Sequence, residues 1–189
     1  QLMTRVNVRK AYREAQRTPY YHSNHTIVVG GGNVAMDAAR CARRLGKKVA
    51  VVYRRSLAEM PARKEEVEHA MDEDITFMTL HNPVEIYKDE KGFVKGVKLE
   101  KMELGEPDER GRRSPVPTGE MMDLVCDCVI MALGTSSNPL LVRSEPRLQT
   151  NPRGCLIVDE QQETTMKNVY AGGDAVSGAA TVILALGAG

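Results

Sequence analysis

The chain has 189 residues, with 26 basic against 25 acidic side chains and a formal net charge of +1. That length suits one ordinary domain, or one plus a fragment of another. The balanced charge offers no global field for nucleic acid or a membrane surface, no apolar run reaches the length of a bilayer span, and no signal-peptide pattern opens the chain.

Leu2 to about Gln16 reads as a short helix, followed by a polar turn through Thr18-Pro19. Thr26-Ile27-Val28-Val29 is then a run of β-type apolar sequence that feeds Gly30-Gly31-Gly32, and a helical pattern opens straight after it. Gly30, Gly32 and Ala35 occupy the places of G-x-G-x-x-G/A, the layout of a dinucleotide-binding βαβ unit. In such a unit Gly30 permits the tight turn. Gly32 lets the backbone approach a pyrophosphate with no Cβ in the way, and Ala35 allows the helix to pack closely on the strand. The backbone N–H groups across Gly31, Gly32, Asn33 and Val34, with the helix dipole behind them, would hold the phosphates. A glycine turn alone is weak evidence, because such turns also join strands to helices for structural reasons. Its context strengthens it: Ala38, Cys41, Ala42 and Leu45 continue a helical stripe, and Gly46 is placed to end the helix with Lys47 and Lys48 near its negative end.

Val49 to Tyr53 reads as the second, buried parallel strand. At the tip of that strand an NAD site usually carries an acid for the ribose 2′-hydroxyl. Here the place is taken by Tyr53-Arg54-Arg55-Ser56, with no carboxylate until Glu59. Alone, two arginines after a strand are as readily a solvated loop. Joined to the glycine turn at this spacing, their guanidinium forks match a 2′-phosphate, so NADPH is favoured over NADH.

Pro61 suits the first position of a helix running to about Asp72, with Val67, Ala70 and Met71 facing inward. Ile75 to Leu80 reads as the third parallel strand. Pro83 to Tyr87 and Phe93 to Met102 suggest an antiparallel excursion turning at residues 89–92. Residues 104–119, rich in charge and proline, read as a mobile surface loop. Leu124 to Leu133 reads as a single strand ending at Gly134, and residues 136–139 as the link out of the domain. Further on, 154–158 and 169–171 look like two more strands, the second running into Gly172-Gly173-Asp174, and residues 179–186 start an apolar helix. The expected fold class is α/β: a Rossmann-like parallel sheet with helices on its faces and a small antiparallel excursion, plus part of a second domain. The expected boundaries are 1–23 for a helix and linker, 24–140 for the nucleotide domain and 141–189 for the partial domain. The closing Leu-Gly-Ala-Gly and the opening Gln1 suggest a piece of something longer. Cys41 belongs to the helix stripe, Cys126 and Cys128 would share a face of one strand, and with Cys155 they read as buried free thiols in a reducing, cytoplasmic setting rather than metal ligands. His22, His25, His69 and His81 are scattered in polar settings and read as surface residues.

The segments VVGGGNVAMDAARCARRLG, VVYRRSLAEMPARKEEVEHA, VKLEKMELGEPDERGRR and CVIMALGTSSNP resemble the small (beta) subunit of NADPH-dependent glutamate synthase, and YAGGDAVSGAATVILALGAG resembles the FAD-contacting end of that subunit. The resemblance runs from about residue 3 to the end. It implies an NADPH domain inserted in an FAD domain of the glutathione-reductase type, of which the last fifty residues would be the returning part. Iron–sulfur clusters would lie in an N-terminal domain outside this sequence. By the same resemblance Arg54 and Arg55 would clamp the 2′-phosphate. Ala132-Leu133-Gly134 would form a second glycine site near the nicotinamide half, and Asp174 after Gly173 would contact the FAD ribityl chain. Thioredoxin-reductase-like relatives place a third arginine where Glu59 stands here, which leaves Arg63 as a weaker candidate. The implied chemistry is hydride transfer from NADPH to FAD, then electron flow through iron–sulfur centres to a large subunit that makes glutamate from glutamine and 2-oxoglutarate. Because the cofactors carry that chemistry, no catalytic side chain is assigned. Related sulfide dehydrogenase and ferredoxin:NADP transhydrogenase subunits, and the middle region of dihydropyrimidine dehydrogenase, share these nucleotide motifs. A non-catalytic NADPH-binding module is the remaining alternative.

Overall fold

The computed structural model describes residues 2–13, 15, 19, 21–109 and 111–187. The chain divides into two compact units, Gln1–Leu133 and Gly134–Gly189.

In the first unit, β1 (His25–Val29) leads into α1 (Asn33–Arg44), β2 (Lys48–Tyr53), α2 (Lys64–Asp72) and β3 (Thr76–Thr79). A meander of β4 (His81–Lys88), β5 (Val94–Pro107) and β6 (Arg113–Leu124) follows, and β7 (Cys128–Met131) closes the unit. The sheet of order β3-β2-β1-β7 is parallel throughout, and β4-β5-β6 form a separate antiparallel sheet.

Handedness explains the layering. The steps β1 to β2 and β2 to β3 move in one direction, so right-handed crossovers put α1 and α2 on the same face. The step from β3 back past β1 to β7 moves the other way, and its connection must cross the opposite face. That connection is the meander. Strand residues alternate accordingly: Val28, Val49 and Val51 pack with Ala35, Met36, Ala39 and Ala70 of the helices, whereas Ile27, Val29 and Val52 pack with Val97 and Leu99 of β5. The expected α/β class, a parallel sheet with a small antiparallel excursion, is what the chain forms; α1 and α2 cover one face of the parallel sheet and the antiparallel sheet covers the other. A parallel sheet needs both faces covered, and Val97 and Leu99 are fully buried in supplying that cover.

Other expectations are revised. Residues 104–119 are not a loop: Leu104 pairs with Pro115, Glu103 with Val116 and Pro107 with Arg113, so the two strands run out as a long hairpin. β6 lies at a sheet edge, where Pro115 and Pro117 are tolerated because an edge strand has amides with no neighbour to serve. The single strand expected over 124–133 is two elements, with Leu124 closing β6 and Cys126 buried in the connection before β7. α2 starts at Lys64 rather than Pro61, because the amides of Ala62 and Arg63 are engaged outside the helix, and Met71 is exposed. At the N-terminus one π-helical turn spans Thr4–Val8, with Leu2 and Met3 against the helix-side core, and the rest of the helix expected to Gln16 falls partly outside the described residues. Lys47 is buried, its ammonium donating to the Ser23 carbonyl at 3.0 Å rather than facing the end of α1.

The second unit carries α3 (Leu140–Ser144), α4 (Asp174–Ser177) and α5 (Val182–Leu186). Where two strands were expected it has isolated antiparallel bridges, Thr150 with Leu156, Val158 with Thr164 and Glu163 with Tyr170. Leu148, Cys155 and Thr164 are its buried residues.

Candidate functional site

The turn between β1 and α1 is built by three glycines with three different steric duties. Gly30 has φ +138°, and a Cβ there would overlap the carbonyl of Ala132, whose own amide donates to Val29 at 2.8 Å. Only glycine allows β1 to leave the sheet this close to the end of β7. At Gly31 a Cβ would lie 2.7 Å from ring carbons of Tyr53, which is seated by its hydroxyl donating to the Glu59 carbonyl at 3.1 Å. At Gly32 a Cβ would meet nothing within 4 Å. The first two glycines are demanded by the protein's own packing, and the third opens onto free space at the start of a helix. Gly32 is also the N-cap of α1, in extended conformation with φ −91° and ψ 175°, and its carbonyl accepts from Ala35 and Met36. The first amides of α1 lack carbonyl partners one turn earlier, so they and the positive helix end face that open space. Val34 is 65% exposed there, whereas Ala35 is fully buried against the sheet.

α2 is fixed to this turn. The Ala62 amide donates to the Gly31 carbonyl at 3.0 Å, and the Arg63 amide donates to Asn33 Oδ1 at 2.9 Å. The side chain of Asn33 is thus occupied in positioning α2, and the exposed Arg63 is brought beside the start of α1. Sequence reasoning missed this brace and the seat that Tyr53 makes for Gly31. A signal for the second existed, in an aromatic residue at the end of a strand neighbouring a three-glycine turn.

The two arginines at the tip of β2 part company. Arg54 is exposed, but Arg55 is only 8% exposed and its guanidinium donates to the carbonyl of Arg113 in β6. The sequence pattern points both at a 2′-phosphate, and the structure ties Arg55 to the hairpin. Glu59 closes a capping box with Ser56, accepting from its hydroxyl at 3.1 Å and its amide at 3.4 Å, so an acid at this place serves the loop.

Leu133 is 67% exposed at the end of the first unit. Gly134 has φ +87°, a left-handed conformation that favours glycine. In the second unit Gly173 has φ +60°, and a Cβ there would press on Ala185. Asp174 opens α4 with Oδ1 accepting from the Ala180 amide at 3.2 Å, and it lines a cavity of about 360 Å³ with Thr135, Ser137, Arg153 and Ser177.

All four cysteines are free. Burial pushes the Cys126 thiol up to about 11, and burial also raises those of Cys41 and Cys128, so these are poor nucleophiles. Among the described residues no cluster of His, Cys, Asp and Glu could hold a metal ion, and no helix is long and apolar enough to cross a membrane.

The sequence matches the model of the pyridine nucleotide-disulphide oxidoreductases over residues 2–189. The chain belongs to the pyridine nucleotide-disulphide oxidoreductase family. Among curated members it is 44% identical to the NADP(+)-dependent formate dehydrogenase subunit beta of Moorella thermoacetica, covering 92% of this chain and 24% of that protein. It is 34% identical to the glutamate synthase [NADPH] small chain of Escherichia coli strain K12, covering 86% of this chain and 36% of that one. The chain therefore spans about a quarter to a third of these relatives. Among solved structures, T. acidophilum thioredoxin reductase superposes with a TM-score of 0.70 at 24% identity, over 87% of this chain and 48% of that one, a likeness in fold. In this member no disulphide is formed by the four thiols.

Proposed function

We propose that this chain binds NADPH at the β1–α1 turn and forms part of a flavoprotein that passes reducing equivalents from NADPH to FAD. The observation that carries the reading is the division of labour at the turn: Gly30 and Gly31 are filled around by Ala132 and Tyr53, while Gly32 faces open space at a helix start. Nothing in the packing requires a glycine at position 32, and a pyrophosphate approaching the backbone does. The amides of Gly31 to Val34 would hold it, with Ala35 setting the depth of α1. Arg54 would meet the 2′-phosphate, and Arg63 is placed beside the helix start. Ala132, Leu133 and Gly134 would border the nicotinamide half, and Gly173 and Asp174 would contribute to FAD binding in the complete protein. The bound coenzyme supplies the hydride; the residues orient it and keep bulk away.

Within the family, the motifs of the glutamate synthase small chain and the 34% identity to it support electron flow through iron–sulfur centres to a large subunit that forms glutamate. The 44% identity to a formate dehydrogenase subunit favours a second reading, in which the same nucleotide parts serve a different electron partner. Anaerobic addition of NADPH to the complete protein should bleach its flavin absorbance, whereas NADH should do so poorly. With the partner subunit present, adding glutamine and 2-oxoglutarate to the reduced flavin, or formate to the oxidised flavin, separates the two readings by which one reoxidises or reduces it.

A further inference from the structure

We infer that Arg113, on the hairpin, supplies the second cation to the coenzyme's 2′-phosphate in place of Arg55, and so helps set the preference for NADPH over NADH. The inference rests on the reading that the glycine turn binds this coenzyme. Arg55 is only 8% exposed and its Nη2 is held by a backbone carbonyl, so the side chain is tied to the hairpin as a strut. Arg54 is the exposed arginine at the tip of β2.

The same bond that removes Arg55 brings Arg113 in. Its acceptor is the carbonyl of Arg113 itself, so one arginine side chain spans the distance between the β2 tip and the backbone of residue 113. A second link keeps the two segments together: the Leu80 amide donates to the Arg55 carbonyl at 3.0 Å, and the Met102 amide, on the strand paired with β6, donates to the Leu80 carbonyl at 2.8 Å. The hairpin is thus docked at the tip of β2. The Arg113 side chain takes no part in the docking and is exposed.

Charge pairing gives the third observation. Arg40, Arg43, Arg44 and Arg147 all have carboxylate partners. Among the described residues, no ion pair or side-chain hydrogen bond is made by Arg54 or by the guanidinium of Arg113. Glu59, the first carboxylate after the arginine pair, is engaged by Ser56. Two unpaired guanidinium groups flank a fixed latch, and a phosphate with close to two negative charges is the ligand that such a pair accepts by bidentate hydrogen bonds. A ribose hydroxyl needs neither.

Calorimetric titration of the full chain with NADPH, NADH and 2′,5′-ADP tests this with Arg54→Ala, Arg113→Ala and Arg113→Lys. Arg113→Ala keeps the carbonyl that receives Arg55, so the latch survives. It should weaken NADPH and 2′,5′-ADP by about ten- to a hundredfold while leaving NADH unchanged, and Arg113→Lys should restore part of the loss. If Arg54→Ala weakens NADPH selectively but Arg113→Ala does not, the assignment of Arg113 is overturned and the coenzyme reading stands. If the unaltered chain binds neither NADPH nor 2′,5′-ADP, the coenzyme reading falls and takes this inference with it.

Discussion

Replacing Gly32 with Asp should leave the fold as stable as before, or slightly more so, while abolishing coenzyme binding. Gly32 already sits in the extended conformation of an N-cap, and a side chain added there meets nothing within 4 Å. An Asp in that place accepts a hydrogen bond from the first turn of α1 and complements the helix dipole, a gain of about 0.3–1 kcal/mol. The same carboxylate stands where a pyrophosphate must approach. At a separation of about 5 Å and an effective dielectric near 20, each pair of like charges costs roughly 3 kcal/mol, more than a hundredfold in affinity. Gly30→Ala is the contrasting change. It forces a side chain into φ +138° and onto the Ala132 carbonyl, and backbone strain with overpacking should cost about 2–6 kcal/mol of folding stability. Urea unfolding and NADPH titration of both variants decide the matter. A Gly32→Asp chain that binds NADPH normally, or that is destabilised as much as Gly30→Ala, would contradict the role assigned to Gly32.

Two further outcomes concern the scaffold. Hydrogen bonds from Arg44, then from Arg40, hold the Glu73 carboxyl below its ordinary value of 4.5, against the opposing effect of burial, and Arg43 donates to the Glu73 carbonyl at 2.7 Å. Its ion-pair contribution is therefore fully present above about pH 4.5 and is lost as pH falls through the lower folded-state value; Glu73→Gln should flatten that acid limb in urea melts, and parallel curves for the two proteins would contradict it. Cys126, buried with its thiol pushed up to about 11, should react with iodoacetamide only on unfolding; labelling in the native state at the rate of a free thiol would show the connection before β7 to be open.

The features legible in the sequence were those that local pattern dictates. The apolar run at 26–29, the glycines and the small-residue stripe of α1 define one βαβ unit without help from distant residues. The hairpin was missed because its strands are charged and proline-bearing; β6 is an edge that buries little, so its residues carry no apolar alternation, and only its pairing with β5 makes it a strand. The start of α2 was misplaced because its limit is set by two tertiary bonds, to Gly31 and Asn33, that no local propensity encodes. Arg55 shows the same limit at the site. Two adjacent arginines look equivalent in sequence, and only the approach of residue 113 separates a strut from an exposed cation.

An open glycine at a helix start, with cations beside the strand tip, is what would make this chain a site for NADPH. Calorimetric titration of the unaltered chain with NADPH and with NADH, at low and high salt, measures it directly. Saturable binding of NADPH, weaker binding of NADH, and a preference that shrinks as salt screens the 2′-phosphate are expected. Equal binding of both coenzymes at every salt concentration, or binding of neither, would contradict this.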